Sequence, residues 1–490
     1  PRDLRTVKFD SAGAKQWVAI FDQLQSPTAA GLAIDGSRNV YVTGYGHGSS
    51  GSLDMVTIKY NPAGVEQWAA LYDGPALGDD RAVGIAIDGQ QDVYVAGSSA
   101  SPATGNDYVT IKYSTGGIRE WVARYNSPAN LNDVPAALAV DSRGNVCVTG
   151  SSIRVSSSND YATIKYAPDG TRQWLAYYNG PPNGSDFATA IALDTEGAVY
   201  VTGQSLGATS SADYATIKYS RLGEQEWRAR YTGPDNGAGA ATAIAVDSRK
   251  NVFVTGYTYN SGTSLDYATL GYDSTGLLRW KAFHNGPADG VDRPVGMVLD
   301  RRGNVYVTGS SLGPGTGLDF ATVAYNADGA QQWVVRYNGP LNIDDEAEAI
   351  AIDSAGSIYA AGTSFAGSSE SYVVVRYTNG FPEWPSRYDG PGVSIDVVND
   401  MAVDPAGNVY LTGGGYSANG LMKMLTVKYD ASGLFLWSSR YQGVGPSYQE
   451  GRKVAVDREG NVCVIGLDYN LQSATDYLTV KYAADGTQQW

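Results

Sequence analysis

Two cysteines and two histidines in 490 residues leave little material for thiol, imidazole or zinc chemistry. Cys147 and Cys463 each stand where tyrosine stands in a recurring NVYVTG, so they are expected in separate repeats, unpaired and buried. No disulfide framework or zinc-ligand spacing arises from them, and cysteine usage leaves the compartment open. His47 lies in a Gly/Ser loop, and His284 replaces the tyrosine of YNGP in FHNGP, so both read as surface or framework residues rather than acid–base catalysts. No Ser/His/Asp order and no glycine-rich phosphate loop is present. No apolar run approaches the roughly 18 residues of a membrane-spanning helix. Positive charge is also short: 35 Lys and Arg against 50 Asp and Glu give a net charge of −15. Phosphate binding draws on clustered Lys and Arg, so a nucleic-acid partner is disfavoured, and cations, neutral sugars or proteins fit better. The chain opens at Pro1 without a signal-like stretch, which reads as a processed or partial chain.

What the chain has in abundance is repetition. Its ten tryptophans, from Trp17 to Trp490, are spaced 53 residues apart seven times and 51 twice. A period held that tightly is an architecture. Each period contains four short runs, as in TAIALD, AVYVTG, DYATIKY and QWLAYYNGP, rich in Val, Ile, Thr, Tyr and Trp and alternating in polarity, which predicts four strands. DSRGNV between the first two and APDGTR between the last two carry hairpin-turn chemistry. Each period is then one antiparallel four-stranded sheet, and the fold class is all-β, a single propeller over residues 1–490 with nine four-stranded blades. The recurring Trp is expected to pack between blades. A glycine closing every second strand, such as Gly150, implies either positive φ or close backbone approach. The third-strand pattern occurs ten times, so residues 1–22 are an extra N-terminal half-blade. They are expected to close the ring with the C-terminal blade at 450–490 or to reach a neighbouring subunit, which would allow a homo-oligomer or polymer.

The motifs GNVYVTG, DYATIKY and QW…YNGP, recurring along essentially the whole chain, resemble those of the bacterial SBBP β-propeller repeat family. The resemblance implies a propeller in a secreted or cell-surface protein. That family is named for seven blades, whereas nine copies of the first hairpin occur here.

The longer loops, after the second and fourth strands, must emerge on one face, the candidate binding face. Two features stand out there. Asp80, Asp133, Asp186, Asp292, Asp345 and Asp396 recur eight residues before the aspartate that ends each first strand, and a second set including Asp54, Asp107 and Asp160 precedes the third strand. Hard oxygen ligands of this kind could hold Ca²⁺, or each Asp could accept backbone N–H bonds and fix its own loop. No other cofactor is implied. The second feature is tyrosine off the repeat lattice: Tyr45, Tyr257, Tyr259, Tyr416, Tyr448 and Tyr469 all fall in candidate-face loops and offer flat amphipathic surface to a protein or a glycan.

The expected function is a noncatalytic extracellular or cell-surface propeller for adhesion, scaffolding or assembly, with a fibre subunit among the forms this could take. The alternative is a glycan-binding or glycan-active protein, a hydrolase or lyase, whose signature would be a carboxylate pair such as Asp79 with Asp80 or Asp344 with Asp345.

Overall fold

A computed structural model describes residues 4–9, 15–21 and 24–482, except 64, 76, 156, 182, 208–210, 368, 379, 391–394, 418–419, 442–446, 459 and 471–473. The repeat folds as nine β-sheets arranged as a propeller. Eight sheets are four-stranded and antiparallel, with strands in chain order. Blade 3 shows the pattern: Asp133–Val140, Val146–Ile153, Asn159–Tyr166 and Arg172–Tyr178. Blade 1 begins at Gln25 and blade 8 ends at Arg440. The ninth sheet holds five strands, Ser447–Val456, Val462–Asn470 and Ala474–Tyr482, followed by Leu4–Phe9 and Lys15–Phe21. Leu4–Phe9 lies parallel to Ala474–Tyr482, Arg5 opposite Leu478. The tenth tryptophan, Trp490, falls outside the described residues.

Each sheet is marginal alone and buries both faces against its neighbours. Nine apolar clusters fill the nine seams between consecutive blades. One of them closes the ring, setting Cys463 and Ile465 of blade 9 against Val40, Val42, Val56 and Ile58 of blade 1. Cys147 sits in the seam of blades 3 and 4. Both cysteines are buried and outside any disulfide, and burial pushes the Cys147 thiol up to about 12.

Five tryptophans, Trp68, Trp121, Trp174, Trp227 and Trp280, each donate across a seam to the next blade. Trp121 Nε1 donates to Pro168 O at 2.9 Å, and Trp174 Nε1 to Arg221 O at 3.1 Å, each bond reaching 47 residues on to the tight turn of the next blade. The indole lies over a glycine of that turn: a Cβ on Gly170, whose φ is +84°, would sit 2.6 Å from Trp121 Cγ. Inside the sheets, threonines of the second and third strands satisfy one another, as Thr149 and Thr163 do at 2.9 Å; in blade 2, where Ala96 faces Thr110, the Thr110 hydroxyl has no partner among the described residues.

The recurring glycine lies inside the second strand, not at its end, and in the eight copies from Gly97 to Gly466 it is explained by close approach and not by φ. None of the nine is among the positive-φ glycines. A Cβ on Gly150 would lie 2.2 Å from Val134 O, where the first strand bulges between Pro135 and Ala137. Among the described residues, no helix is long and apolar enough to cross a membrane.

Candidate functional site

Both tight turns of every blade point to one face, so the longer connections gather on the other. On the tight-turn face, Asp141 closes its hairpin by accepting from Arg143 N at 3.0 Å and Asn145 N at 2.9 Å. Lys165 Nζ pairs with Asp141 at 3.2 Å and donates to Gly197 O of the next blade at 3.0 Å, which explains the recurring lysine of TIKY. This face is a framework of self-satisfied turns.

The loop face has a different chemistry. The six aspartates proposed from sequence as cation ligands, Asp80, Asp133, Asp186, Asp292, Asp345 and Asp396, are fully buried at the entry to their blades. Five of them accept a backbone N–H from the connection six residues upstream: Gly74, Ser127, Gly180 and Gly286 donate at 2.6 to 2.7 Å and Gly339 at 2.5 Å. The sixth, Asp396, takes Arg440 Nη2 at 2.9 Å. The first five thereby tie the crossing between blades to a first strand, and Asp396 ties the first and fourth strands of its own blade. Burial is the main influence on the Asp133 carboxyl and pushes it up to about 6; burial likewise raises Asp80, Asp186, Asp292 and Asp345.

A second layer was not anticipated from sequence. In blades 2, 4 and 6 an arginine on the fourth strand pairs with the aspartate before the third strand: Arg124 with Asp107 at 3.1 Å, Arg230 with Asp213 and Arg336 with Asp319 at 2.7 Å. Arg124 and Arg230 also donate to a tyrosine hydroxyl of the preceding blade, Tyr72 and Tyr178. The signal was present as an arginine three residues after the tryptophan, but its partners come from other strands and a neighbouring blade.

His284 occupies the tyrosine position that would have faced Arg336. It is 8% exposed, its ring meets Tyr267 edge-on at 5.3 Å, and its Nε2 has no hydrogen-bond partner. Burial, then the Arg336 charge, holds it down at about 4. The folded state therefore prefers the neutral ring, and its contribution is intact above the unfolded value near 6.5 and lost as pH falls toward 4. Acidification from about pH 7 to about pH 5 is expected to remove about 2 kcal/mol through this residue. The His284→Tyr variant, measured by urea unfolding at both pH values, should lose that part of the pH dependence. The other histidine, His47, donates from Nδ1 to Gly51 O at 2.8 Å within its own loop.

The acid doublets are engaged in structure. Asp79 accepts Leu53 N at 3.0 Å and pairs with Arg81 at 2.8 Å, and Asp344 accepts Leu318 N at 2.8 Å. Asp80 and Asp345, their neighbours, hold Gly74 and Gly339 as described.

Of the off-lattice tyrosines, Tyr416 ends the second strand of blade 8 and Tyr448 stands on the first strand of blade 9. Burial and then Glu450 raise the Tyr448 phenol, and Tyr416 of the adjoining blade adds to the shift. Tyr448 is 37% exposed. The backbone register sets Tyr469 opposite Tyr448, but the Tyr469 side chain lies outside the described residues. Tyr45 is half-buried on blade 1. Tyr257 and Tyr259 form a separate group on blade 5, where Arg293 lies over the Tyr257 ring at 5.8 Å and Tyr259 is 45% exposed.

No protein-family model matches the chain. An uncharacterised WD repeat-containing protein of Acanthamoeba polyphaga mimivirus is 22% identical over 511 residues, an alignment that takes in 94% of this chain. The chain spans 31% of that relative's length. Among solved structures, a eukaryotic initiation factor is 8% identical with a TM-score of 0.49, covering 90% of this chain and 96% of that one. Sqt1 of Chaetomium thermophilum is 12% identical with a TM-score of 0.44, covering 98% of both chains. The polysaccharide lyase Uly1 is 10% identical with a TM-score of 0.40, covering 79% of this chain and 98% of that one. None of these similarities speaks for a ligand or a reaction.

Proposed function

We propose that the chain is a noncatalytic propeller whose loop face docks a protein partner in adhesion, scaffolding or assembly, outside the cell or at its surface. The observation that supports this most is Tyr448, an aromatic residue open to solvent on the first strand of blade 9, with Tyr416 ending a strand of the adjoining blade 8. Rigid aromatic side chains of this kind anchor protein interfaces at low cost in conformational entropy. Both histidines and both acid doublets already serve loops and seams, which favours presentation of a surface over turnover. WD repeats are propeller repeats and commonly bind proteins, so the distant relative points the same way. The likeness of GNVYVTG and DYATIKY to SBBP repeats supports the secreted or surface location.

A glycan ligand is a second reading, favoured by the exposed Tyr259, two residues along the same strand from Tyr257, which offers a sugar a stacking face. The two readings separate in one experiment. The parent chain and the Tyr416→Ala/Tyr448→Ala and Tyr259→Ala variants are tested against displayed cell-surface proteins and a glycan array. A protein ligand bound by the parent should be lost with the double substitution and kept with Tyr259→Ala. Protein binding unaffected by the double substitution would remove the proposed site, and glycan binding lost only with Tyr259→Ala would put the second reading in its place.

A further inference from the structure

Seven Asn-Gly pairs occur in the sequence, and five of them lie among the described residues, beginning at Asn179, Asn183, Asn236, Asn285 and Asn338. In such a pair the glycine nitrogen can close onto the asparagine side-chain amide, because glycine has no Cβ to hinder the approach. Closure needs that nitrogen stripped of its proton and free to turn toward Cγ. We propose that the loop face carries one self-modifying residue, Asn183, which deamidates in the folded chain while the other four described pairs are held shut.

The four are held by their glycine N–H groups. Gly180, Gly286 and Gly339 are buried and donate to the buried carboxylates of Asp186, Asp292 and Asp345 at 2.6, 2.6 and 2.5 Å. Gly237 donates to Pro234 O at 2.8 Å within its own turn. Two of the asparagine amides are tied as well, Asn285 Nδ2 donating to Asp289 Oδ1 at 2.7 Å and Asn338 Nδ2 to Asn342 Oδ1 at 2.8 Å. These bonds must break before the nitrogen can attack, so the four sites react only through local opening.

Asn183 has no such lock. It is exposed, and among the described residues the Gly184 N–H donates to no acceptor. The Asn183 side chain accepts at Oδ1, from Asn179 Nδ2 at 2.9 Å, which polarises the amide carbon toward attack. The Gly184 nitrogen loses its proton and bonds to Asn183 Cγ, the Cγ–Nδ2 bond breaks, and the amide leaves with that proton as ammonia. Water then opens the ring at Cγ to give aspartate, or at the main-chain carbonyl to give isoaspartate. The aspartate product suits the fold: the matching place after blade 5 is Asp289, with φ +51° against +54° at Asn183, and its Oδ1 takes the same bond from Asn285 Nδ2. Deamidation to aspartate therefore adds a negative charge to the loop face and keeps the loop's own hydrogen bond.

The intact folded chain, incubated in mildly alkaline buffer and mapped by proteolysis and mass spectrometry, reports deamidation at each asparagine, and the same incubation in concentrated urea is the reference. In the folded chain Asn183 should react at least about tenfold faster than Asn179, Asn236, Asn285 and Asn338, whereas in urea the five should react at comparable rates. Asn183 reacting no faster than the others in the folded chain would overturn the assignment. The same ranking in urea as in the folded chain would also overturn it, because local sequence and not hydrogen bonding would then set the rates.

Discussion

Gly150→Ala is expected to lower the stability of the propeller by about 3 kcal/mol, although the change adds one methyl group to a strand. The added Cβ would lie 2.2 Å from Val134 O, 2.7 Å from Pro135 Cα and 2.8 Å from Ala136 N. All three are backbone atoms of the neighbouring strand in the same blade, so no side-chain rotation relieves the clash. The first strand would have to move away, and with it Asp133, whose carboxylate holds Ser127 N. Gly36→Ala is the matched control: nothing lies within 4 Å of its added Cβ, and its unfolding midpoint should stay near the parent value. Urea unfolding followed by tryptophan fluorescence reads both. Equal midpoints for the two variants would mean that the bulge beside Gly150 is not the constraint described.

Trp121→Ala is the second large effect, with an expected loss of about 3 kcal/mol. The indole packs near Tyr94 and Tyr166, with ring centroids at 6.2 and 5.9 Å, and covers Gly170. It also carries the Nε1 bond to Pro168 O across the seam. Trp121→Phe separates the contributions, because the ring stays and the donor goes; a loss of about 1 kcal/mol is expected for the hydrogen bond. If Phe and Ala cost the same, the seam depends on the bond. If Ala costs nothing, Trp121 does not fasten blades 2 and 3.

Most of the architecture was legible because each blade is built locally. Asp141, Gly144 and Asn145 form a turn from their own sequence, and DYATIKY is buried along its whole length. The tryptophan period then counts the blades. Less legible was anything assembled between segments. Arg124 reads as one charge among many until Asp107 and Tyr72, from another strand and another blade, arrive beside it. The spare third-strand pattern pointed to a meeting of residues 1–22 with the C-terminal blade, but no hairpin signal encodes the parallel pairing that makes the ninth sheet five-stranded. The tyrosines were found by subtraction from the lattice, but their grouping into a blade 8 and 9 pair and a blade 5 group followed from the ring.

The ring itself is the central claim, and the two native cysteines test it. Cys147 is buried in the seam of blades 3 and 4, which are consecutive in the chain, whereas Cys463 is buried only by the meeting of blade 9 with blade 1. Alkylation of the native chain by iodoacetamide, followed by mass spectrometry at each cysteine, compares the two seams directly. A closed nine-blade ring predicts slow reaction at both sites, with fast reaction only after unfolding. Rapid modification of Cys463 while Cys147 stays protected would show that blades 9 and 1 do not meet, and would contradict the closed ring.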